Sequence, residues 1–179
     1  MGYHPAREKR HAARASVTEN RLPTPSQTVG PFFGYALPFE AGPIAASGAA
    51  AIRIEGQLID GSGEPVSDGM VELWAGQQFA RCRTDVEGAF HFTVTKPPHG
   101  TPPNDDAPHL EVTVFSRGLL RHLATRLYFP DEEEANVRDR TLNLVDPARR
   151  PTLIARSEGP VLRFDIRLQG ESETVFFAL

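Results

Sequence analysis

The stretch APHLEVTVFSRGLLRHLATRLYF, Ala107 to Phe129, sets the fold class. Between Pro108 and Ser116 apolar and polar residues alternate, so in an extended chain Leu110, Val112 and Val114 face one way and His109, Glu111, Thr113 and Phe115 the other. This is a core strand whose second face carries chemistry. His109 and Glu111 stand two residues apart, which places their Cα atoms about 6.5–7 Å apart with both side chains in the same space, a pair that could hold a metal. Arg117-Gly118 breaks the strand, and Leu119 to Phe129 resumes an apolar-rich run in which Leu123, Thr125, Leu127 and Phe129 share a face.

The rest of the chain reads as strands packed around these two. A chain of 179 residues, 40% hydrophobic, supports one core of ordinary size rather than two. Sixteen Pro and fifteen Gly with only 8% aromatics argue for many short elements and hard turns, hence an all-β class. One cysteine, Cys82, cannot form an internal disulfide, which fits a cytoplasmic setting. The sequence has no apolar run of the length, about 18 residues, that would span a membrane. Met1 to Pro23 carries five basic residues against two acidic ones. It reads as a flexible basic tail, or as an arm lying on an acidic partner, ahead of a single domain from Thr24 to Leu179. Because the net charge is −4, the body is more acidic still and does not suggest nucleic-acid binding.

From Thr24 to Glu40, prolines and glycines define a non-regular path rather than a helix or strand, carrying Phe32, Phe33, Tyr35 and Phe39. The segment reads as a hydrophobic flap, or as the wall of a pocket or interface. Ala41 to Ala51 is a surface linker. Strands are expected around Ile52 to Leu58, from Met70 to Ala75, and on both sides of the turn Thr84 to Gly88, with Phe90, Phe92 and Val94 inward. Trp74 reads as a core filler before a stacking platform. Five prolines between Lys96 and Pro108 mark a long loop. A short helix near Asp131 to Asn136 is expected with Asp131 as its N-cap, then an irregular stretch from Leu142 to Arg150 and a short strand from Thr152 to Arg156. Val161 to Gln169 alternates with Leu162, Phe164, Ile166 and Leu168 inward, and the apolar end Val175-Phe176-Phe177 must bury somewhere.

Four separated motifs carry a resemblance to a known family: TPSQTVGPFF at Thr24 to Phe33, FSRG at Phe115 to Gly118, TRLYF at Thr125 to Phe129, and RFDIRLQGESETVFF at Arg163 to Phe177. In that order they resemble the intradiol ring-cleavage dioxygenases. The resemblance implies a β-sandwich and a ferric iron, held by two tyrosines and two histidines, that activates a catechol for attack by O2. The histidines come as His-x-His on the central strand, where this chain has His109 and then Glu111. Lys96-Pro97-Pro98-His99-Gly100 lacks the tyrosine expected after it, and Tyr3, Tyr35 and Tyr128 stand at no ligand position. In this the chain resembles the iron-free alpha chains of the family, which complete the active site of an iron-bearing beta chain. The implied expectations are no metal ligand here, Fe(3+) held by the partner beta chain, a higher-order αβ hetero-oligomer, and an aromatic diol with O2 as substrates. Thr28, Pro31 and Arg117 map to the substrate-facing positions. Arg117 is the expected catalytic group, since a guanidinium at a strand end attracts a carboxylated catechol. His109 is expected to bond to Glu111 or to backbone. The competing reading is a transthyretin-like binding module, whose TDxxGxF hairpin the chain also shows at Thr84 to Phe90.

Overall fold

The computed structural model describes residues 32–100 and 106–178. Two sheets face each other, one antiparallel throughout and one mixed. One is a four-stranded sheet in the order β3-β2-β5-β6, built from β2 (Met70–Ala75), β3 (Gln78–Arg83), β5 (His109–Phe115) and β6 (Leu123–Tyr128). The other is a five-stranded sheet of β1 (Ala51–Ile59), β4 (Ala89–Thr95), β7 (Arg156–Glu158), β8 (Val161–Arg163) and β9 (Ile166–Arg167). Its order is β4-β1-β8-β7, with β9 also paired to β1, and β1 runs parallel to β8 and β9.

The period-two pattern sorts the side chains as expected. Leu110, Val112 and Val114 of β5 are buried against Phe90, Phe92, Val94, Ile54, Leu58, Phe164 and Ile166 of the other sheet. Burying a side chain of this kind is worth about 1.5–3 kcal/mol, so this interlayer seam is the main source of stability. The same parity corrects the reading of Trp74. On β2, Val71 and Leu73 take the inward positions, so Trp74 falls on the outer face opposite Glu111, 45% exposed and stacked on Phe79 at 4.3 Å.

The outer face of the four-stranded sheet has its own cover. Tyr128, which points away from the main core, is fully buried with Ala107, Ala135, Leu142, Val145 and Leu153 beneath a helical layer of α2 (Glu133–Arg138), α3 (Arg140–Leu144) and a 3-10 turn at Arg150–Leu153. This revises three expectations. Asp131 is not the N-cap of α2: its carboxylate is drawn 2.6 Å from Lys96, and Glu132 takes the cap position without a side-chain bond. The stretch after Leu142 is not wholly irregular, because Asp139 caps α3 by accepting from the Leu142 amide at 2.7 Å. No strand runs from Thr152 to Arg156. The 3-10 turn occupies its start, and the one ladder contact there, Ile154 with Tyr128, is an isolated bridge.

Two further segments are more ordered than read. Phe33–Ala36 forms one helical turn, α1, within the path expected to be non-regular. The expected surface linker is tied down at Gly42, whose carbonyl accepts from the Arg81 amide, and at Ile44, which bridges Thr93. The alternating run from Val161 is interrupted at Asp165, whose Oδ1 accepts from the Gln57 amide at 3.1 Å and so replaces a ladder carbonyl between β8 and β9. Beside it, β1 and the Phe164 backbone approach so closely at Gly56 that a Cβ there would stand 1.9 Å from the Phe164 carbonyl oxygen and 2.4 Å from Cζ of Phe90. Gly56→Ala must push a backbone oxygen and a core ring apart, and is expected to cost about 3 kcal/mol, read as a loss of midpoint in chemical denaturation.

Candidate functional site

The two ends of β5 hold different chemistry. At its start, His109 Nδ1 lies 2.8 Å from the Ala107 carbonyl and Nε2 3.2 Å from Glu111 Oε1, so the ring lies within bonding distance of both of its alternative partners, Glu111 and backbone. Arg126 Nη2 stands 2.9 Å from the same Glu111 oxygen. Burial pushes the Glu111 carboxyl upward, but the His109 bond and the Arg126 charge outweigh it and hold the group below its ordinary value. The remaining nearby donor, Tyr128, gives its hydroxyl proton to Asp139 Oδ1 at 2.9 Å, and burial raises its pKa so that it stays a phenol.

This donor set does not fit a ferric site of tyrosinates and imidazoles. The carboxylate is committed to a guanidinium, the phenol is held protonated by burial, and both imidazole nitrogens face acceptors. Trp74, Lys96, His99, His109 and Glu111 line an open groove of 980 Å³ here, with Lys96 and His99 turned to acidic partners at Asp131 and Glu132.

At the other end, Leu119 N donates to Ser116 O at 3.3 Å, closing a turn in which Arg117 and Gly118 are the central residues. Gly118 has φ +88°, the left-handed conformation that a type II turn requires at its third residue and that glycine reaches without strain. The turn holds Arg117 at its corner. Its side chain is 72% exposed, with Nε 3.1 Å from Asp68 Oδ2. On one side lies a polar pocket of 240 Å³ that includes Asp60, Ser67, Asp68 and Ser116. On the other is an apolar cavity of 580 Å³ walled by Phe33, Phe115, Leu119, Leu120, His122 and Phe177.

Thr28 and Pro31 lie outside the described residues, but the segment that continues from them docks at this same end. Phe33 is buried with its ring 6.0 Å from Phe115, and Arg81 Nη1 donates to Leu37 O at 2.8 Å while Arg81 ion-pairs with the buried Glu72. The FSRG motif and the end of the first motif are therefore neighbours. Arg117 and His109 are not brought together: eight residues of largely extended chain separate them, on the order of 25 Å. Phe32, Tyr35, Phe39 and Leu120 are left exposed around the Arg117 end. Asp139 was missed by sequence reasoning, although an Asp three residues ahead of Leu142 at the start of a short helix is a legible capping signal.

No family model matches the chain. It is 41% identical to the protocatechuate 3,4-dioxygenase alpha chain of Burkholderia cepacia over 86% of this chain and 96% of that protein. Identity to the alpha chain of Pseudomonas putida is 37%, over 86% and 95%. The beta chain of the Burkholderia cepacia enzyme is 30% identical over 69% of this chain and 66% of its own length. The dioxygenase domain of a dioxygenase and carbohydrate-binding protein fusion from Streptomyces sp. SirexAA-E shares the fold, with a TM-score of 0.57 at 24% identity over 83% of this chain and 99% of that one. A two-sheet sandwich with these relatives defines an intradiol ring-cleaving dioxygenase rather than a transthyretin-like module. Within that class the chain belongs to the family of the protocatechuate 3,4-dioxygenase alpha chains.

Two measurements check the His109 end. The lowered Glu111 pKa means that its contribution is present above the ordinary carboxylate value and is lost as pH falls through the folded-state value, below 4.5. Glu111→Gln should therefore lower stability at pH 7 by under about 1 kcal/mol, the group being half exposed, and the gap to the parent should close in acid denaturation. Asp139→Ala strands the Tyr128 hydroxyl and the Ala107 amide, and is expected to lower stability by about 3 kcal/mol in equilibrium unfolding.

Proposed function

We propose that this chain is the alpha subunit of a protocatechuate 3,4-dioxygenase, and that with a beta chain it converts protocatechuate and O2 to 3-carboxy-cis,cis-muconate. Residues 24–179 act as one β-sandwich unit behind a basic tail of residues 1–23, in a cytoplasmic, higher-order αβ assembly. Fe(3+) belongs to the beta chain, where it supplies activation of the aromatic diol toward O2. What this chain contributes is Arg117, with Thr28 and Pro31 of the neighbouring first motif shaping the substrate's surroundings.

One observation carries the reading. The exposed guanidinium of Arg117 sits at the opposite end of β5 from His109, so it cannot serve a centre built on its own strand's His-x-Glu pair and is free to serve one built on another chain. A guanidinium fork pairs with a carboxylate through two parallel bonds, which suits the carboxyl that distinguishes protocatechuate from catechol. The exposed Phe32, Tyr35, Phe39 and Leu120 around it support a partner-covered face, since an apolar rim of this kind is costly to leave in water.

Purified alone, the chain should hold no stoichiometric ferric iron and show no visible charge-transfer band. One iron per isolated chain, by metal analysis, would overturn the assignment of iron to the partner. In the complex, Arg117→Ala should leave folding, colour and iron content intact while lowering kcat/KM for protocatechuate roughly ten- to a hundred-fold, the worth of a charged hydrogen bond. Arg117→Lys should restore only part of it. Catechol, which lacks the carboxylate, should be far less affected, and equal losses on both substrates would point to a general field instead.

A further inference from the structure

Asp68 stands where the two substrate-facing segments meet. Its Oδ2 is 3.1 Å from Arg117 Nε, and its side chain is 25% exposed against 72% for the arginine, so the carboxylate is the fixed partner of the pair. From the other side, a Cβ added to the buried Gly34, three residues after Pro31, would lie 3.8 Å from the Asp68 backbone oxygen. Asp68 is itself fixed by its chain neighbour Gly69, whose amide and carbonyl both bond the buried Thr84 hydroxyl, at 2.8 and 3.2 Å. An added Cβ at Gly69 would strike Leu58 at 2.4 Å, so the backbone after Asp68 has little room to shift.

An ion pair with so exposed an arginine adds little to stability. Its effect is on the conformations open to the side chain. Arg117 projects from a turn corner into solvent, and an untethered arginine there would have to be ordered at the moment of binding. The ion-pair contact is at Nε, which leaves Nη1 and Nη2 as the fork for an incoming carboxylate.

On the reading that Arg117 meets the substrate, we infer that Asp68 is a positioning residue: it holds the guanidinium in one orientation so that the Nη1–Nη2 fork is presented to the substrate's carboxylate. Asp68 touches Arg117 and not the reacting atoms, and its role is selective for carboxylated diols.

The test uses the complex with the iron-bearing partner, oxygen excluded so that nothing turns over, titrated calorimetrically with protocatechuate and with catechol. Asp68→Asn and Asp68→Ala should each weaken protocatechuate binding about three- to ten-fold, the equivalent of ordering one rotamer-rich side chain, and leave catechol unchanged. Asp68→Glu should recover part of the loss, and Asp68→Asn should add nothing in an Arg117→Ala background. The thermal midpoint should stay close to the parent's in all of them. Unchanged or tighter protocatechuate binding in Asp68→Ala would show the carboxylate to be a bystander or a competitor of the substrate and would overturn the inference. Equal weakening for both ligands would overturn it as well, by pointing to a distorted turn. If Arg117→Ala itself leaves protocatechuate binding intact, the reading of Arg117 fails and the role of Asp68 falls with it. A loss in Arg117→Ala without one in the Asp68 variants removes Asp68 alone.

Discussion

The helical layer depends on one buried carboxylate. Asp139 is fully buried, and its two oxygens take bonds from three donors: the Tyr128 hydroxyl on β6, the Leu142 amide at the start of α3, and the Ala107 amide just before β5. A charge at that depth is tolerable only when its lone pairs are filled, and here each donor comes from a different element. The residue therefore joins β6 and the entry to its neighbour β5 to the helices that cover their outer face. With Tyr128 so engaged and Arg126 turned to Glu111, the polar groups at the start of β5 are paired among themselves.

The opposite end of β5 is built to stay open. The segment following the first motif is fastened at three points: Phe33 on Phe115, Leu37 O on the Arg81 guanidinium, and Gly42 O on the Arg81 amide. Arg81 is in turn held by Glu72, a buried acid that only such a pairing makes affordable. These fastenings bring the segment after Pro31 against the Ser116–Leu119 turn, next to the exposed guanidinium of Arg117. The division of labour along one strand, with internally paired groups at its start and an exposed guanidinium at its end, matches a subunit that presents groups outward.

The strands of the core were legible because their signal is local. Alternation over five or more residues states which side chains face the core, and β1, β4 and β5 follow it, whereas β2 is buried on both faces from Met70 to Leu73. The exposure of Trp74 was also implicit in that pattern, since Val71 and Leu73 already claimed the inward parity, and giving weight to side-chain size over register hid it. The helices after Phe129 were harder to read because short helices have little propensity of their own and are held by what they pack upon. Asp131 as the partner of Lys96, and Asp139 as the acceptor of the Tyr128 hydroxyl and the Ala107 amide, are contacts across elements, with no signature in a window of ten residues.

By itself the sequence determined the sandwich class, the inward face of each long strand, the substitution of Glu111 at the second histidine position, and the motifs that mark the family. Each is a matter of which residue type stands at which spacing, and spacing along an extended chain is geometry already. Only the tertiary structure decided that Asp68 meets Arg117, that the segment after Pro31 reaches the same turn, that Gly56 lies under a carbonyl, and that Tyr128 is a buried donor rather than a free phenol. Those facts join residues that lie 11 to more than 100 positions apart in the chain, and they exist only once the two sheets have closed on each other.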